Sequence, residues 1–471
     1  MDLQKVSVII PTYNQAEYLA ESVQSALDQT YQNIEVIVVN DASTDQTDEV
    51  LSRFNDPRIK YIVHKENRYA AAARNTGIRA ASGKYISFLD ADDIFHQEKL
   101  QVQAAFLERN PAVGLTYNSR IEIDETGLAL SIFKTPPAAT LSDLVMDYPY
   151  APSEVVMRKD WAFRVALFDE SYVFHGEDPD FHMRLAMQGC EMVGLDRVLN
   201  YRRLHAGRVF RNLTGVVAGE IRAFENTFAD PRCPSDVLAL REKSLGKIYM
   251  ILSYYAFIQN ETVLGQDLIR KTIKYDQSIL AVGANKLLRF LIMTSTRDSG
   301  DHEIPLRRVF TQIPPELDWI TQHLDSTLAY GYLLKGTRDI MWGRIEDGRD
   351  HLASAAALGA HIDKPFIQTL TAQLLNYEEE FGQGSVEDVL ENLSSSFQEA
   401  GYRHSVRMLR GCYAVNKAFQ DYRTGKFIKV PGSVIRAIMT DPHYLINRGV
   451  MLISIQSIFS ILRYKLRRQT Y

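Results

Sequence analysis

Ile34–Asn40 reads Ile-Glu-Val-Ile-Val-Val-Asn and runs without a break into Asp41-Ala42-Ser43-Thr44-Asp45. A short apolar run rich in β-branched side chains and bounded by turn residues predicts a strand covered on both faces. Working outward, the pattern recurs. On the N-terminal side, residues 6–11 form a compact β-rich run ending in Thr12-Tyr13-Asn14. Tyr18, Leu19, Val23, Ala26 and Leu27 then follow at helical spacing, with Asn14 placed to cap that helix. On the C-terminal side we expect a helix over 45–54, a strand over Ile59–Val63, an alanine-rich helix over 69–81 that stops near Gly83, and a fourth strand over 85–89. Apolar strands separated by helices indicate a parallel sheet with helices on both faces, a doubly wound α/β domain.

Each strand hands over to a polar cluster: Thr12-Tyr13-Asn14, then Asp41 to Asp45, then Asp90-Ala91-Asp92-Asp93. In open α/β sheets the ligand crevice lies outside the C-terminal strand ends, so the three clusters converge on one polar, mostly acidic site. Neither GxGxxG nor GxxxxGK[ST] follows the first strand, which argues against dinucleotide and P-loop chemistry. The Asp90-Ala91-Asp92-Asp93 cluster admits two readings. It is either a hard-oxygen site for Mg²⁺ or Mn²⁺ holding substrate phosphates, or the acidic approach to a helix expected over 97–108.

The context of that cluster is an ordered set of motifs. SVIIPTYNQAEYL (7–19), EVIVVNDASTDQT (35–47), NRYAAAARNTGI (67–78) and GKYISFLDADD (83–93) each fall at a strand–helix junction, and HGEDPDFHMRLAMQG (175–189) and DRVLNYRRLH (196–205) follow. Together they resemble glycosyltransferase family 2 over roughly residues 4–207. The resemblance implies an A-type glycosyltransferase fold and transfer of a sugar from a nucleotide diphosphate to a hydroxyl acceptor with inversion. It assigns donor contacts to Pro11, Thr12, Tyr13, Asp41, Arg74, Asn75, Asp90 and Ala91, with Asp41 accepting from the imide N–H of uracil. Metal ligation, by Mn²⁺ or Mg²⁺, falls to Asp92 and Asp90, with His205 approaching from the other side. Asp178 matches the catalytic base and Glu177 borders the acceptor. The family often has a Gly-Gly pair where this chain has Arg68-Tyr69, so Arg68 becomes a further donor contact. The chain also reads RRLH where the family often has a shorter spacing. On residues alone, Glu177 and Asp178 equally read as acidic caps of a helix over 179–188.

Beyond residue 230 the character changes. The stretch 119–152 still carries strand-like pieces, the Pro136-Pro137 pair and apolar 141–150. From about Pro231, helical stretches dominate, such as 238–259, 263–273 and 340–358, with turns expected near Gly265, Gly348 and Gly425. We therefore read a catalytic domain over 1–230, an all-α domain over 231–440 weakly similar to tetratricopeptide-like helix pairs, and a hydrophobic helix with a basic tail over 441–471. Within that tail the 14 residues 449–462 are uncharged and apolar nearly all round, short of a bilayer span as a helix. A helix buried in the helical domain and one docked on a membrane surface both remain open for it.

With 471 residues, 46% of them hydrophobic and 24% charged, the chain has the composition of two or three globular domains. The net charge of −5 gives no pull toward nucleic acid, and the polar first residues carry no signal-peptide pattern. Three scattered cysteines read as thiols in a reducing compartment, so a cytoplasmic placement is expected, with the inner membrane face open. The partners implied are a nucleotide-sugar donor (a UDP-sugar) and a glycan or lipid-linked acceptor for cell-surface polysaccharide. Peripheral membrane contact through 444–471 and homo-oligomerisation through the helical domain complete the expectations. Two other functions stay in view: transfer to a polyisoprenyl phosphate, and a sugar-nucleotide-binding scaffold without turnover.

Overall fold

The computed structural model describes residues 4–204, 212–298 and 301–469. The strands are β1 (Val6–Thr12), β2 (Ile34–Asn40), β3 (Ile59–Val63), β4 (Tyr85–Phe88), β5 (Ile94–Phe95), β6 (Val113–Ile123), β7 (Ala129–Phe133), β8 (Val156–Arg158) and β9 (Glu191–Arg203). They form one sheet in the order β3-β2-β1-β4-β8-β6-β9-β5, with β7 paired to β6. β1 to β4 run parallel, and Val8 faces Val36 on one side and Ser87 on the other. β8 is antiparallel to both β4 and β6, whereas β9 returns to run parallel with β6. This is the A-type glycosyltransferase architecture, a mostly parallel sheet with helices on both faces, followed by an all-helical region.

Alternation along β1 explains why apolar side chains are needed on both of its faces. Val6, Val8 and Ile10 face one core, built with Leu19 and Val23 of α1 (Ala16–Leu27) and Leu100 and Leu107 of α4 (Lys99–Arg109). Ile9 faces the other, with Ala71 and Ile78 of α3 (Tyr69–Ala80) and Phe181 of α7 (Glu177–Met187). Between these lie α2 (Thr47–Ser52), α5 (Leu141–Met146) and α6 (Lys159–Arg164). The second core continues into α8 (Leu213–Ala229), α9 (Ser235–Leu238), α10 (Arg241–Ile258) and α11 (Thr262–Tyr275).

The chain divides into two compact units, Met1–Thr321 and Gln322–Tyr471. The compositional change near Pro231 falls inside the first unit, because α10 contributes Leu245 and Leu252 to the same core as Ile9. The first unit closes with α12 (Ala281–Asp298) and α13 (Glu303–Gln312). The second holds α14 (Leu324–Met341), α15 (Ile345–Ala357), α16 (Lys364–Glu399, broken at Gly382), α17 (Arg403–Arg423), α18 (Val430–Thr440) and α19 (Arg448–Gln469). Its main core gathers Leu333, Leu352, Leu370, Phe397 and Leu409.

Several local expectations are corrected. Asn14 does not cap α1: it is left-handed (φ 52°), its side chain accepts from Thr44 N at 2.7 Å, and the side chain of Asp45 accepts from Ala16 N at 2.9 Å. The apolar stretch from Leu141 is helical, since Thr140 and Asp143 form a capping box. The expected helix over 340–358 breaks at Gly343 (φ 83°), giving α14 and α15. Gly265 and Gly348 lie inside α11 and α15, and only Gly425 (φ 74°) of the three is a turn residue.

Candidate active site

The C-terminal ends of β1, β2 and β4 open into a cleft of about 330 Å³. Pro11, Thr12, Tyr13, Asp41, Arg74, Asp90, Ala91 and Asp92 line it together with Gln15, Asn67, Tyr69, Ala70 and Ala73. Eight residues read from separate motifs thus converge, as parallel strands with aligned ends require. The Thr12 hydroxyl is buried with no protein partner, a polar group left for a ligand.

Asp41 is buried and already engaged. His64 Nδ1 lies 2.6 Å from its Oδ1, and the backbone N–H of Arg68 donates to both carboxylate oxygens at 2.9 and 3.0 Å. His64 Nε2 is in turn 2.9 Å from Thr76 Oγ1, so the imidazole is held at both nitrogens. Arg68 therefore meets Asp41 through its backbone, while its guanidinium pairs with Glu170 at 2.8 Å. Asn75 does not line the cleft. It is buried and ties down the loop behind α3, donating to Phe168 O and Glu170 Oε1 and accepting from Phe168 N.

The acidic end of the cleft is organised by one guanidinium. Arg74 Nη1 donates to Glu177 Oε1 and Asp178 Oδ1, both at 2.9 Å, and Nη2 reaches Asp90 Oδ1 at 3.1 Å. Burial opposes the charge of Arg74, but Asp178, Asp90 and Glu177 overcome it and hold the group protonated above its ordinary range. For Asp178 burial is the largest influence and pushes its carboxyl up. Arg74 pulls it back, Glu177 and Asp90 add to the rise, and it reaches about 8. On the other side of Asp178, burial disfavours charge on His175, yet the adjacent Glu220 carboxylate raises it to about 9.

Glu177 and Asp178 occupy the first turn of α7, whose N-cap is Gly176 at φ 100°. Carboxylates in a first turn gain from the unpaired amides there. A Cβ on Gly176 would lie 2.4 Å from Gly219 O, and one on Gly219 would lie 2.0 Å from His175 O, so α8 crosses this turn at backbone contact. That close approach fixes where the two carboxylates stand.

Asp90, Asp92 and Asp93 can bring one carboxylate oxygen each within 4.8 Å of one another. Hard oxygens at that spacing suit a divalent cation of the Mg²⁺ or Mn²⁺ type. Asp93 is fully buried and accepts from Arg203 N at 3.0 Å, which leaves Asp90 and Asp92 as the members lining the cleft. His205 lies outside the described residues.

Sequence reasoning missed His64, and of the Arg68-Tyr69 pair it singled out Arg68 and not the Tyr69 that lines the cleft. His64 immediately follows β3, so the rule that exposed the other strand-end clusters also points to it. Tyr69 is left-handed (φ 67°) at the position where the resembled family often has glycine, and its ring stands edge-on to Phe174 at 5.6 Å. A bulky residue in that conformation stores strain beside the cleft.

Comparison with known proteins bears on the family of the chain. Residues 7–163 match the family described as "Glycosyl transferase family 2". A Rickettsia bellii protein named as an uncharacterized glycosyltransferase is 48% identical over 124 residues, 26% of this chain and 18% of that protein, so the chain spans less than a fifth of that relative. The Escherichia coli protein named UDP-Glc:alpha-D-GlcNAc-diphosphoundecaprenol beta-1,3-glucosyltransferase WfaP is 31% identical over 210 residues, 45% of this chain and 81% of that protein. A crystal structure of S. aureus TarS with UDP-GlcNAc aligns over 76% of this chain and 93% of its own, at 18% identity and a TM-score of 0.43. With its ordered strand-end motifs, its acidic cleft and a relative matched over most of its length, the chain belongs to glycosyltransferase family 2.

Proposed function

We propose that this chain transfers a glycosyl group from a UDP-sugar to a hydroxyl acceptor with inversion, in polysaccharide synthesis, with Asp178 as the base. The carrying observation is the single guanidinium of Arg74, which binds Asp90 on the donor side and Glu177 and Asp178 on the other. Asp90 lines the cleft, and Asp178, which lies behind its Arg74 wall and not among the lining residues, shares the same guanidinium. The acceptor oxygen attacks the anomeric carbon from the face opposite the diphosphate. The new C–O bond forms as the bond to the diphosphate oxygen breaks, the nucleoside diphosphate leaves with the electron pair, and the acceptor proton passes to Asp178. One displacement needs no enzyme nucleophile.

Thr12 and Asp41 are proposed to take the nucleoside. Asp41 accepts the uracil imide N–H while His64 and the Arg68 amide hold its carboxylate in place. Such a hydrogen-bonding pocket rejects bases that lack the donor. Asp92 and Asp90 would hold Mn²⁺ or Mg²⁺, which supplies Lewis-acid neutralisation of charge on the leaving diphosphate. Arg74 keeps the three surrounding carboxylates compatible with burial before substrate enters. The acceptor we propose is lipid-linked, because the E. coli relative WfaP is named for an alpha-D-GlcNAc-diphosphoundecaprenol acceptor.

The test is calorimetric titration with UDP, GDP, CDP and dTDP, each with Mn²⁺ and with EDTA, followed by assays of UDP-sugar transfer to a lipid-linked acceptor. Metal-dependent preference for UDP is expected. Preference for another base overturns the Asp41 role and the UDP-sugar assignment. Nucleotide binding without transfer by the whole chain favours a scaffold.

A further inference from the structure

The last two helices of the second unit have an unusual outer face. Their inner faces close a small core: Val430, Val434 and Ala437 of α18 and Val450 and Ile453 of α19 are buried, packed with Ala418 of α17. These spacings are those of an ordinary amphipathic helix, whose other side should be polar. Here it is not. Ile435 and Met439 are exposed on α18, Ile446 in the turn between the helices, and Leu452, Ile455 and Phe459 on α19. Met439 and Ile446 are 81% and 79% exposed, so neither supports the fold. Single exposed apolar residues are normal, but a run of large ones on the outer side of a two-helix element marks a contact surface.

The charge of the segment says what it contacts. From Arg423 to Tyr471 the sequence has nine Lys or Arg against one acidic residue, Asp441, whereas the whole chain is net −5. Lys429, Arg436 and Arg448 are exposed among the apolar positions, and Arg463, Lys465, Arg467 and Arg468 follow in sequence. Two copies meeting through this face would set like charge against like. An anionic bilayer offers both what the apolar side chains and what the basic side chains need. No described helix is long and apolar enough to cross a membrane, so the contact is one of lying on the surface.

We propose that α18, the following turn and α19 form a docking face for an anionic lipid bilayer, with Met439, Ile446, Leu452 and Phe459 entering the interface and Lys429, Arg436 and Arg448 meeting lipid phosphates. This goes beyond the proposed transfer chemistry and does not depend on it.

The experiment is flotation of the full chain with vesicles of phosphatidylcholine alone and of phosphatidylcholine with about one third phosphatidylglycerol. The native chain should float with the anionic vesicles and not the neutral ones, and high salt should weaken the binding. The double variant Met439→Glu with Ile446→Glu should lose at least about tenfold in vesicle affinity while its thermal melt stays that of the native chain. Lys429→Gln with Arg436→Gln should weaken anionic binding alone. The proposal is overturned by no flotation, by equal binding to neutral vesicles, or by retained binding in the first double variant. It is also overturned if that variant instead abolishes concentration-dependent self-association of a chain that ignores vesicles.

Discussion

The cleft at the strand ends buries charge, while the helices at the far end of the sequence expose hydrocarbon. Buried Arg74 gathers Asp90, Glu177 and Asp178 around itself in the first unit, and Met439, Ile446 and Phe459 face solvent in the second. Folding alone favours neither arrangement, since buried ions lose hydration and exposed apolar groups forfeit burial. The two differ in how the cost is contained. One guanidinium binds all three carboxylates, so the charges are cross-linked and the groups are tuned by one another. The apolar residues are held by nothing outside themselves, so they are available. A cross-linked, tuned region suits chemistry and an available one suits adhesion.

Asp178→Asn should break the first half of this contrast most severely. The expected loss in transfer is about 10²- to 10⁴-fold, with UDP affinity nearly unchanged. Because the Asp178 carboxyl is raised to about 8, kcat/KM for the native chain should rise with pH through that region. Glu177→Gln should move the rise to lower pH, because Glu177 is one of the carboxylates pushing it up. Stability carries the same signature with a definite sign. A carboxyl that holds its proton in the fold up to about 8, but loses it near 4 when unfolded, favours the fold at low pH. That contribution is lost as pH rises between those values. The native Tm should therefore fall relative to that of Asp178→Asn over this window, and a constant difference would remove burial as the cause.

Arg74→Ala is next. It leaves Asp90, Glu177 and Asp178 around a hole without the cation they share, and should cost about 3–5 kcal/mol of unfolding free energy by denaturant titration at neutral pH. Combining it with Asp178→Asn should recover part of that loss. Additivity of the two would mean that the cluster is a set of independent contacts.

These residues show unevenly how much could be read beforehand. The strands that carry Thr12 or lead into Asp41 and Asp90 were legible because a strand buried on both faces is a nearly continuous apolar run, a signal that survives without knowledge of its partners. The acidic cleft followed from where those strands end. What escaped was whatever depends on a partner distant in sequence. Asn75 reads as a polar helix residue, and only the arrival of the 168–170 loop turns it inward. His64 looks like a lone histidine until Asp41 and Thr76 stand on either side of it. The stretch from Leu141 has strand-like composition, but Thr140 and Asp143 close a helix cap that outweighs it. In α19 the composition is apolar nearly all round, and which side is buried is decided by α17 and α18.

His64→Ala sharpens the account of the donor end. Asp41 would keep its contacts with the Arg68 amide but lose the imidazole that bonds its Oδ1. UDP affinity should fall about tenfold, or about 1.4 kcal/mol, with the preference for uracil reduced. An unchanged Kd would leave His64 a structural residue.

Tyr69→Gly tests whether strain at the cleft serves the ligand. Releasing a left-handed non-glycine residue is worth about 1 kcal/mol, so the variant should be slightly more stable than the native chain. It should also bind UDP more weakly, since the ring that lines the cleft is gone. Greater stability with unaltered affinity would make Tyr69 a strained bystander.

The smallest expected effect bears on the other region. Ile435→Gln removes a large apolar side chain that is 56% exposed, from a helix whose inner face is complete without it. Surface substitutions of this kind change stability by less than about 0.5 kcal/mol, so denaturant curves of the two proteins should superimpose. The weight of the result lies in that near-zero value. If the outer face were buried against another part of the chain in solution, the same substitution would cost about 1–3 kcal/mol, and the contrast between a cross-linked charge cluster and an available surface would collapse. If the curves superimpose, the isoleucine contributes nothing to folding, and its presence among basic residues has to be explained by what the surface meets.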